Sequence, residues 1–80
     1  MLIEVITEEL RALRAKKNYS QEEVAEKLGV HRETFRKYES NPSIMNVGLF
    51  LEMLGIYDIN PSIFFENVMA NCQKNKIKGE

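Results

Sequence analysis

The sequence predicts an all-α protein with five short helices. Apolar residues recur at helical spacing in separate segments, and turn-forming glycine, proline and asparagine residues lie between these segments. The length of 80 residues is that of one small domain, and 44 % hydrophobic with 29 % charged residues is typical of a globular chain. No apolar run approaches the roughly 20 residues of a membrane helix, so we expect no membrane span and no secretory signal.

Helix one is predicted around one apolar face, formed by Ile6, Leu10 and Leu13. Residues 1–6 contain no helix breaker, so they fit either a helical extension or a short extended arm. The sequence leaves these two alternatives open. Asn18 then begins the first turn.

Helix two is predicted from signals at both of its ends. Ser20 followed by Glu23 matches a capping box, in which the hydroxyl accepts a backbone N–H and the glutamate reaches back. Gly29 ends the helix after Leu28, because glycine adopts the left-handed conformation at little steric cost. Its inner face carries Val24 and the small Ala25.

Helix three is predicted from about Arg32 to Glu39, before a break at Asn41 and Pro42. At about 100° per residue its long polar side chains share an arc of roughly 140°: Arg32, Glu33, Arg36 and Lys37. The opposite side carries Thr34, Phe35 and Tyr38. A helix with aromatic residues behind and hydrogen-bonding residues in front suits insertion into a DNA groove, where Arg and Lys bind guanine or phosphate and Glu accepts from cytosine.

Helices four and five are predicted from their caps and their apolar residues. Asn46 caps helix four, Gly55 ends it, and its predicted core face is Val47, Phe50, Leu51 and Leu54. Asn60 and Pro61 begin helix five. That helix carries more apolar side chains than one small core requires: Phe64, Phe65, Val68, Met69 and Cys72. Residues 71–80 form a basic tail that we expect to fray.

The charges are polarised along the chain, although the formal net charge is only −1. Eight of the 11 basic residues lie between Arg11 and Lys37, and none lies between Tyr38 and Gln73. This distribution gives a positive surface that suits a polyanion. Ordinary solvated charge is the alternative for any single cluster.

Reactive and metal-binding chemistry has little support in the composition. The single cysteine, Cys72, forms no internal disulfide, and with one distant histidine, His31, it builds no zinc site. The chain offers no catalytic constellation. We therefore expect no enzyme activity, no metal, no cofactor and no small-molecule ligand.

The segment from Leu10 to about Phe65 resembles the lambda-repressor-like helix-turn-helix family, which includes phage Cro and repressor proteins. The resemblance is carried by Leu13-Arg14, by Ser20 to Val30, and by Arg32, Thr34, Phe35, Tyr38 and Glu39. It implies a five-helix domain over residues 1–70, with the helix-turn-helix at about residues 21–39. It also implies a dimer on a palindromic double-stranded DNA operator, in the cytoplasm and associated with the nucleoid.

The resemblance also implies roles for individual residues. The base contacts are Arg32, Glu33, Arg36 and Lys37, with Arg36 on the flank. Gln21 matches a phosphate contact of the family, and we expect further phosphate contacts at Lys17, Ser20, His31 and Asn41. Arg14 and Glu39 match an internal ion pair that joins helix one to helix three. Two residues depart from the family pattern. His31 stands where the family has a Ser or Thr cap. Asn41 stands where the family has glycine, and this change is tolerable because asparagine also adopts the left-handed conformation.

Two features, one on helix three and one on helix five, have alternative interpretations. Glu33 either reads cytosine, restrains non-specific binding, or pairs with Arg36 or Lys37. The surplus apolar side chains of helix five either only fill the core of a monomer or form a homodimer interface. We favour the homodimer, with its interface at Phe65 and Met69 and a contribution from Leu2, Ile3 and Val5.

The predicted function is therefore a sequence-specific DNA-binding transcriptional regulator, of the repressor type found in phages and mobile elements. An alternative within the same fold is a restriction–modification controller or an antitoxin. A third, from another class, is a protein-interaction module that has lost DNA binding.

Overall fold

A computed structural model describes the backbone of residues 2–79 and the side chains of residues 2–73. It contains five α-helices and one 3₁₀ turn, and the described residues form no strand: α1 (Leu2–Lys17), α2 (Gln21–Leu28), α3 (Arg32–Ser40), the turn Pro42–Ile44, α4 (Val47–Ile56) and α5 (Pro61–Gly79). The predicted all-α, five-helix architecture is confirmed.

The amino-terminal segment is a helical extension, because α1 begins at Leu2. Of the two alternatives that the sequence left open, the extended arm is therefore wrong. The helix ends at Lys17, and Asn18 then turns the chain with a φ of 62°. Asparagine is one of the few residues that adopt this left-handed conformation readily.

The predicted ends of α2 are confirmed at atomic detail. The Glu23 backbone N–H donates to Ser20 Oγ at 3.0 Å, and the Ser20 N–H donates to Glu23 Oε1 at 2.8 Å. Gly29 has a φ of 80° and closes the helix. The short connection between α2 and α3 therefore has a fixed geometry.

One core joins all five helices. Its buried apolar residues are Val5, Leu10, Val24, Ala25, Leu28, Phe35, Met53, Leu54, Tyr57, Phe64 and Val68. α1 packs on α5, and α2 packs on both α3 and α4. α1, α2 and the 3₁₀ turn pack against α3 and leave its outer face at the surface.

The predicted core face of α4 is partly wrong. Leu54 is buried, but Val47 is 75 % exposed and Leu51 is 45 % exposed, whereas Met53 and Tyr57 are buried instead. α4 is apolar around much of its circumference, so its periodicity does not select one face. The helix also continues through Gly55 to Ile56.

The conformation expected for Asn41 is also wrong. Its φ is −143°, which is extended rather than left-handed. Pro42 follows it, and a residue before proline is restricted to extended conformations by the proline ring. Asn41 thus ends α3 without the glycine-like turn.

The carboxyl-terminal helix continues along the backbone to Gly79. The side chains after Gln73 lie outside the described residues, so the expected fraying of the basic tail stays a prediction. Among the described residues no single helix is long and apolar enough to cross a membrane. α4 and the segment Pro61–Gln73 have the required length and composition only when they are taken together, and the chain bends by 95° between them.

Candidate nucleic-acid interface

The outer face of α3 is a row of exposed polar side chains. Arg32, Glu33, Arg36 and Lys37 are all exposed, as their helical spacing predicts. On the inner side Phe35 is fully buried, while Thr34 and Tyr38 are half-buried. The burial of Phe35 fixes the rotation of α3 about its axis, so the four polar residues face solvent together.

Within this row Glu33 and Arg36 form an ion pair. Arg36 Nη1 lies 3.3 Å from Glu33 Oε2 and 3.4 Å from Oε1, and both side chains are exposed. Of the partners considered for Glu33, Arg36 is the one it contacts in the structure. An exposed ion pair of this kind contributes about 1 kcal/mol or less to stability. Breaking it would therefore cost little if Glu33 and Arg36 bound groups of a DNA duplex instead.

On the inner side of α3, an ion pair between Arg14 and Glu39 joins α1 to α3. Arg14 Nε donates to Glu39 Oε2 at 2.7 Å, and Arg14 Nη2 donates to Glu39 Oε1 at 3.3 Å. Arg14 Nη1 also donates to the Tyr19 carbonyl at 3.1 Å. Because Glu39 is only 1 % exposed, this two-point pairing compensates a buried charge.

Gln21, the first residue of α2, joins the same carboxylate. Its Nε2 donates to Glu39 Oε1 at 2.9 Å. An amide nitrogen carries two hydrogens, so one remains for another acceptor. Gln21 is thereby held at the edge of the α3 face, where the resemblance places a phosphate contact.

Arg11 borders the polar face of α3 and was not identified as a site residue from the sequence. Arg11 Nε lies 4.0 Å from Glu39 Oε1, and the side chain is 55 % exposed. It borders a cleft of about 300 Å³ that is lined by Arg11, Gln21, Glu33, Arg36, Lys37 and Ser40. The available signal was its spacing of three residues from Arg14, which places both arginines on neighbouring positions of one helix surface.

The other expected phosphate contacts differ in how free their side chains are. His31 precedes α3, is exposed, and makes no capping hydrogen bond with the described residues. The Ser20 hydroxyl is used in the capping box, and Asn41 Oδ1 accepts from Ser43 Oγ at 2.6 Å. Contacts of these three residues with phosphate stay predictions.

Lys17 is paired with the turn between α4 and α5. Its Nζ lies 2.8 Å from Asp58 Oδ2, and both groups are at the surface. The hydrogen bond and the attraction between the charges raise the pKa of Lys17 and lower the pKa of Asp58. A phosphate that binds Lys17 must therefore compete with Asp58.

An apolar surface lies on α4 and α5. Phe65 is 43 % and Met69 54 % exposed, as the surplus of apolar residues in helix five suggested. A groove of about 210 Å³ next to Phe65 is lined by Ile3, Ile6, Pro42, Ser43, Met45, Val47, Phe50 and Leu51. Val5 contributes nothing to this surface, because it is buried in the core; that expectation is wrong.

Among the described residues, no group of three His, Cys, Asp or Glu side chains is arranged so that it could hold a metal ion. Cys72 is half-buried and a free thiol.

Comparison with known proteins supplies one match. A family model described as helix-turn-helix matches residues 10–64, from the middle of α1 to the first turn of α5. No curated protein and no solved structure matches the chain. The matched segment contains the polar row of α3 and the Arg14, Gln21 and Glu39 network.

Proposed function

The chain belongs to the XRE-type, lambda-repressor-like helix-turn-helix family of DNA-binding transcription regulators, and from this we propose that it is a repressor that binds a palindromic operator as a homodimer. The family is a DNA-binding one and is not typically enzymatic. The proposal places the protein in the cytoplasm, associated with the nucleoid and without a cofactor.

The observation that carries this proposal is the exposed polar row of α3 above a rigid support. Phe35 and Glu39 are buried on the inner side of the helix, and Arg14 and Gln21 bind the Glu39 carboxylate. Side chains that read bases must be held in one geometry, because each bidentate contact depends on the orientation of the helix. The network supplies that geometry before DNA arrives.

The chemistry of the row suits base readout in the major groove. Arg32 and Lys37 can donate to guanine O6 and N7, and Glu33 can accept from cytosine N4. Arg36 lies on the flank and holds Glu33 in the free protein. Gln21 and His31, at the starts of α2 and α3, would contact the sugar-phosphate backbone and so set the register of the helix on the DNA.

Dimerisation is proposed through the apolar surface of α5, centred on Phe65 and Met69. Both side chains are about half exposed, which is costly for apolar groups of this size unless a partner covers them. In such a dimer the two recognition helices lie about 34 Å apart, one turn of B-DNA.

Selection of binding sites from a random duplex library tests the proposal. We expect the protein to enrich an inverted repeat and to bind it more tightly than a scrambled duplex of the same length. Enrichment without an inverted repeat would contradict the symmetric dimer. No binding to any duplex would favour the alternative of a protein-interaction module.

A further inference from the structure

We infer that Arg11 and Gln21 form a phosphate-binding cleft beside the recognition helix, with Arg11 as its principal cation. This inference rests on the proposed function, since the phosphate is one of the DNA backbone. It adds a residue of α1 to the interface, whereas the base contacts lie on α3.

The first step concerns the charge balance around Glu39. Arg14 binds both carboxylate oxygens, so one positive charge already compensates the buried negative one. Arg11 approaches the same carboxylate only to 4.0 Å, beyond hydrogen-bonding distance. The positive charge of Arg11 is therefore in excess of what the buried carboxylate needs.

The second step concerns accessibility. The Arg11 side chain is 55 % exposed, compared with 22 % for Arg14. Arg14 also holds the Tyr19 carbonyl, so its donors are largely used inside the protein. Arg11 keeps most of its five N–H donors for an external group, and a guanidinium binds phosphate oxygens in pairs.

The third step concerns the cleft itself. Three cations and one carboxylate line it, which leaves two positive charges in excess. The carboxylate, Glu33, is paired with Arg36 at 3.3 Å. Gln21 adds the second hydrogen of its amide nitrogen, whose orientation is fixed by Glu39. The cleft therefore offers a positive field together with directed donors, which matches a phosphodiester anion.

Two substitutions on the same helix test this assignment. Arg11→Ala is expected to weaken binding to operator and scrambled duplex by the same factor, and to lower the slope of log K against log salt by about one. Lys16→Ala removes the same charge from α1 but lies outside the cleft, in a groove with Leu13, Tyr57 and Ile59. It is expected to change the slope much less. Arg11→Lys keeps the charge and is expected to restore most of the slope.

Stability measurements separate binding from a structural role. Arg11→Ala is expected to unfold at nearly the same urea concentration as the parent, because Arg14 continues to compensate Glu39. Equal losses of binding for Arg11→Ala and Lys16→Ala would overturn the assignment, since they would reflect total charge alone. Unchanged binding by Arg11→Ala would overturn it as well, and would leave the proposed function intact.

A titration with inorganic phosphate, followed by NMR, reports on the cleft without DNA. We expect phosphate to shift the Arg11 Nε and Gln21 Nε2 signals of the parent, and to shift the Gln21 signal less in Arg11→Ala. If these shifts occur and no duplex binds, the cleft stands as an anion site and the proposed function fails. If phosphate shifts no signal in the cleft, the assignment is wrong even where operator binding is observed.

Discussion

Arg14 and Glu39, which are 25 positions apart in the sequence, form a two-point ion pair at 2.7 and 3.3 Å on the inner side of α3. The pair connects α1 with the end of α3, and Gln21 connects α2 to the same carboxylate at 2.9 Å. One buried carboxylate thus connects α1, α2 and α3, the three helices that carry the proposed interface.

Removal of either partner is expected to destabilise the fold. Arg14→Ala or Glu39→Ala alone should lower the free energy of unfolding by up to about 3 kcal/mol, because a charge that is buried or partly buried loses its partner. A double-mutant cycle by urea unfolding measures the coupling directly. A coupling energy near zero would mean that the pair does not hold α1 against α3 in solution.

Tyr57→Phe is expected to stabilise the protein by about 1 kcal/mol at neutral pH. The Tyr57 hydroxyl is buried and has no hydrogen-bond partner among the described residues, and an unsatisfied buried group costs about 1–3 kcal/mol. Urea unfolding of the two proteins makes the comparison. A loss of stability would show that the hydroxyl does bind a partner in solution.

The same residue predicts a dependence of stability on alkaline pH. Burial, and secondarily the Glu39 carboxylate, raise the pKa of Tyr57 above its usual value near 10, while Arg14 opposes this. The unfolded chain therefore loses the Tyr57 proton at a lower pH than the folded chain does. As a result, the free energy of unfolding falls once the pH rises above about 10, the pKa of an unperturbed tyrosine. At about pH 11 the parent should therefore lose about 1 kcal/mol more than Tyr57→Phe. Equal losses by both proteins would contradict the raised pKa.

Lys17 is expected to contact phosphate only in competition with Asp58. Lys17→Ala should weaken binding to operator and scrambled duplex alike and lower the salt slope by about one. Asp58→Asn releases the ammonium from its partner at 2.8 Å, so it should strengthen binding to both duplexes. Binding titrations at several salt concentrations measure both effects. An unchanged slope in Lys17→Ala would assign Lys17 to the surface ion pair alone.

The apolar face of α5 predicts the state of assembly. Sedimentation at micromolar concentration should show a dimer of the parent and a folded monomer of Met69→Glu, because a carboxylate is costly in an apolar contact. Ile63→Glu is the matched control: Ile63 is 50 % exposed on the same helix but points about 160° away from Phe65. A monomeric parent, or equal effects of the two substitutions, would contradict an interface at Phe65 and Met69.

The sequence was most informative where the chemistry is local. The capping box of Ser20 and Glu23, the left-handed Gly29 and the outward face of α3 each depend on residues within one or two helical turns. The Arg14 and Glu39 pair came from the family resemblance, because no periodicity relates positions so far apart.

The missed features depend on tertiary packing. Val47 and Leu51 follow the apolar spacing of a core face, yet α4 meets the core through Met53 and Leu54. The Lys17 and Asp58 pair joins residues 41 positions apart, and Arg11 acquires its cleft only when α2 and α3 lie beside α1. None of these relationships is visible until the helices are assembled.

The most direct test of DNA recognition by α3 compares Arg32→Ala and Lys37→Ala on a selected operator and on a scrambled duplex. Each substitution should cost about 1–3 kcal/mol on the operator and much less on the scrambled duplex, because a lost base contact removes discrimination. Equal losses on the two duplexes would contradict base readout and leave α3 as a basic surface without sequence specificity.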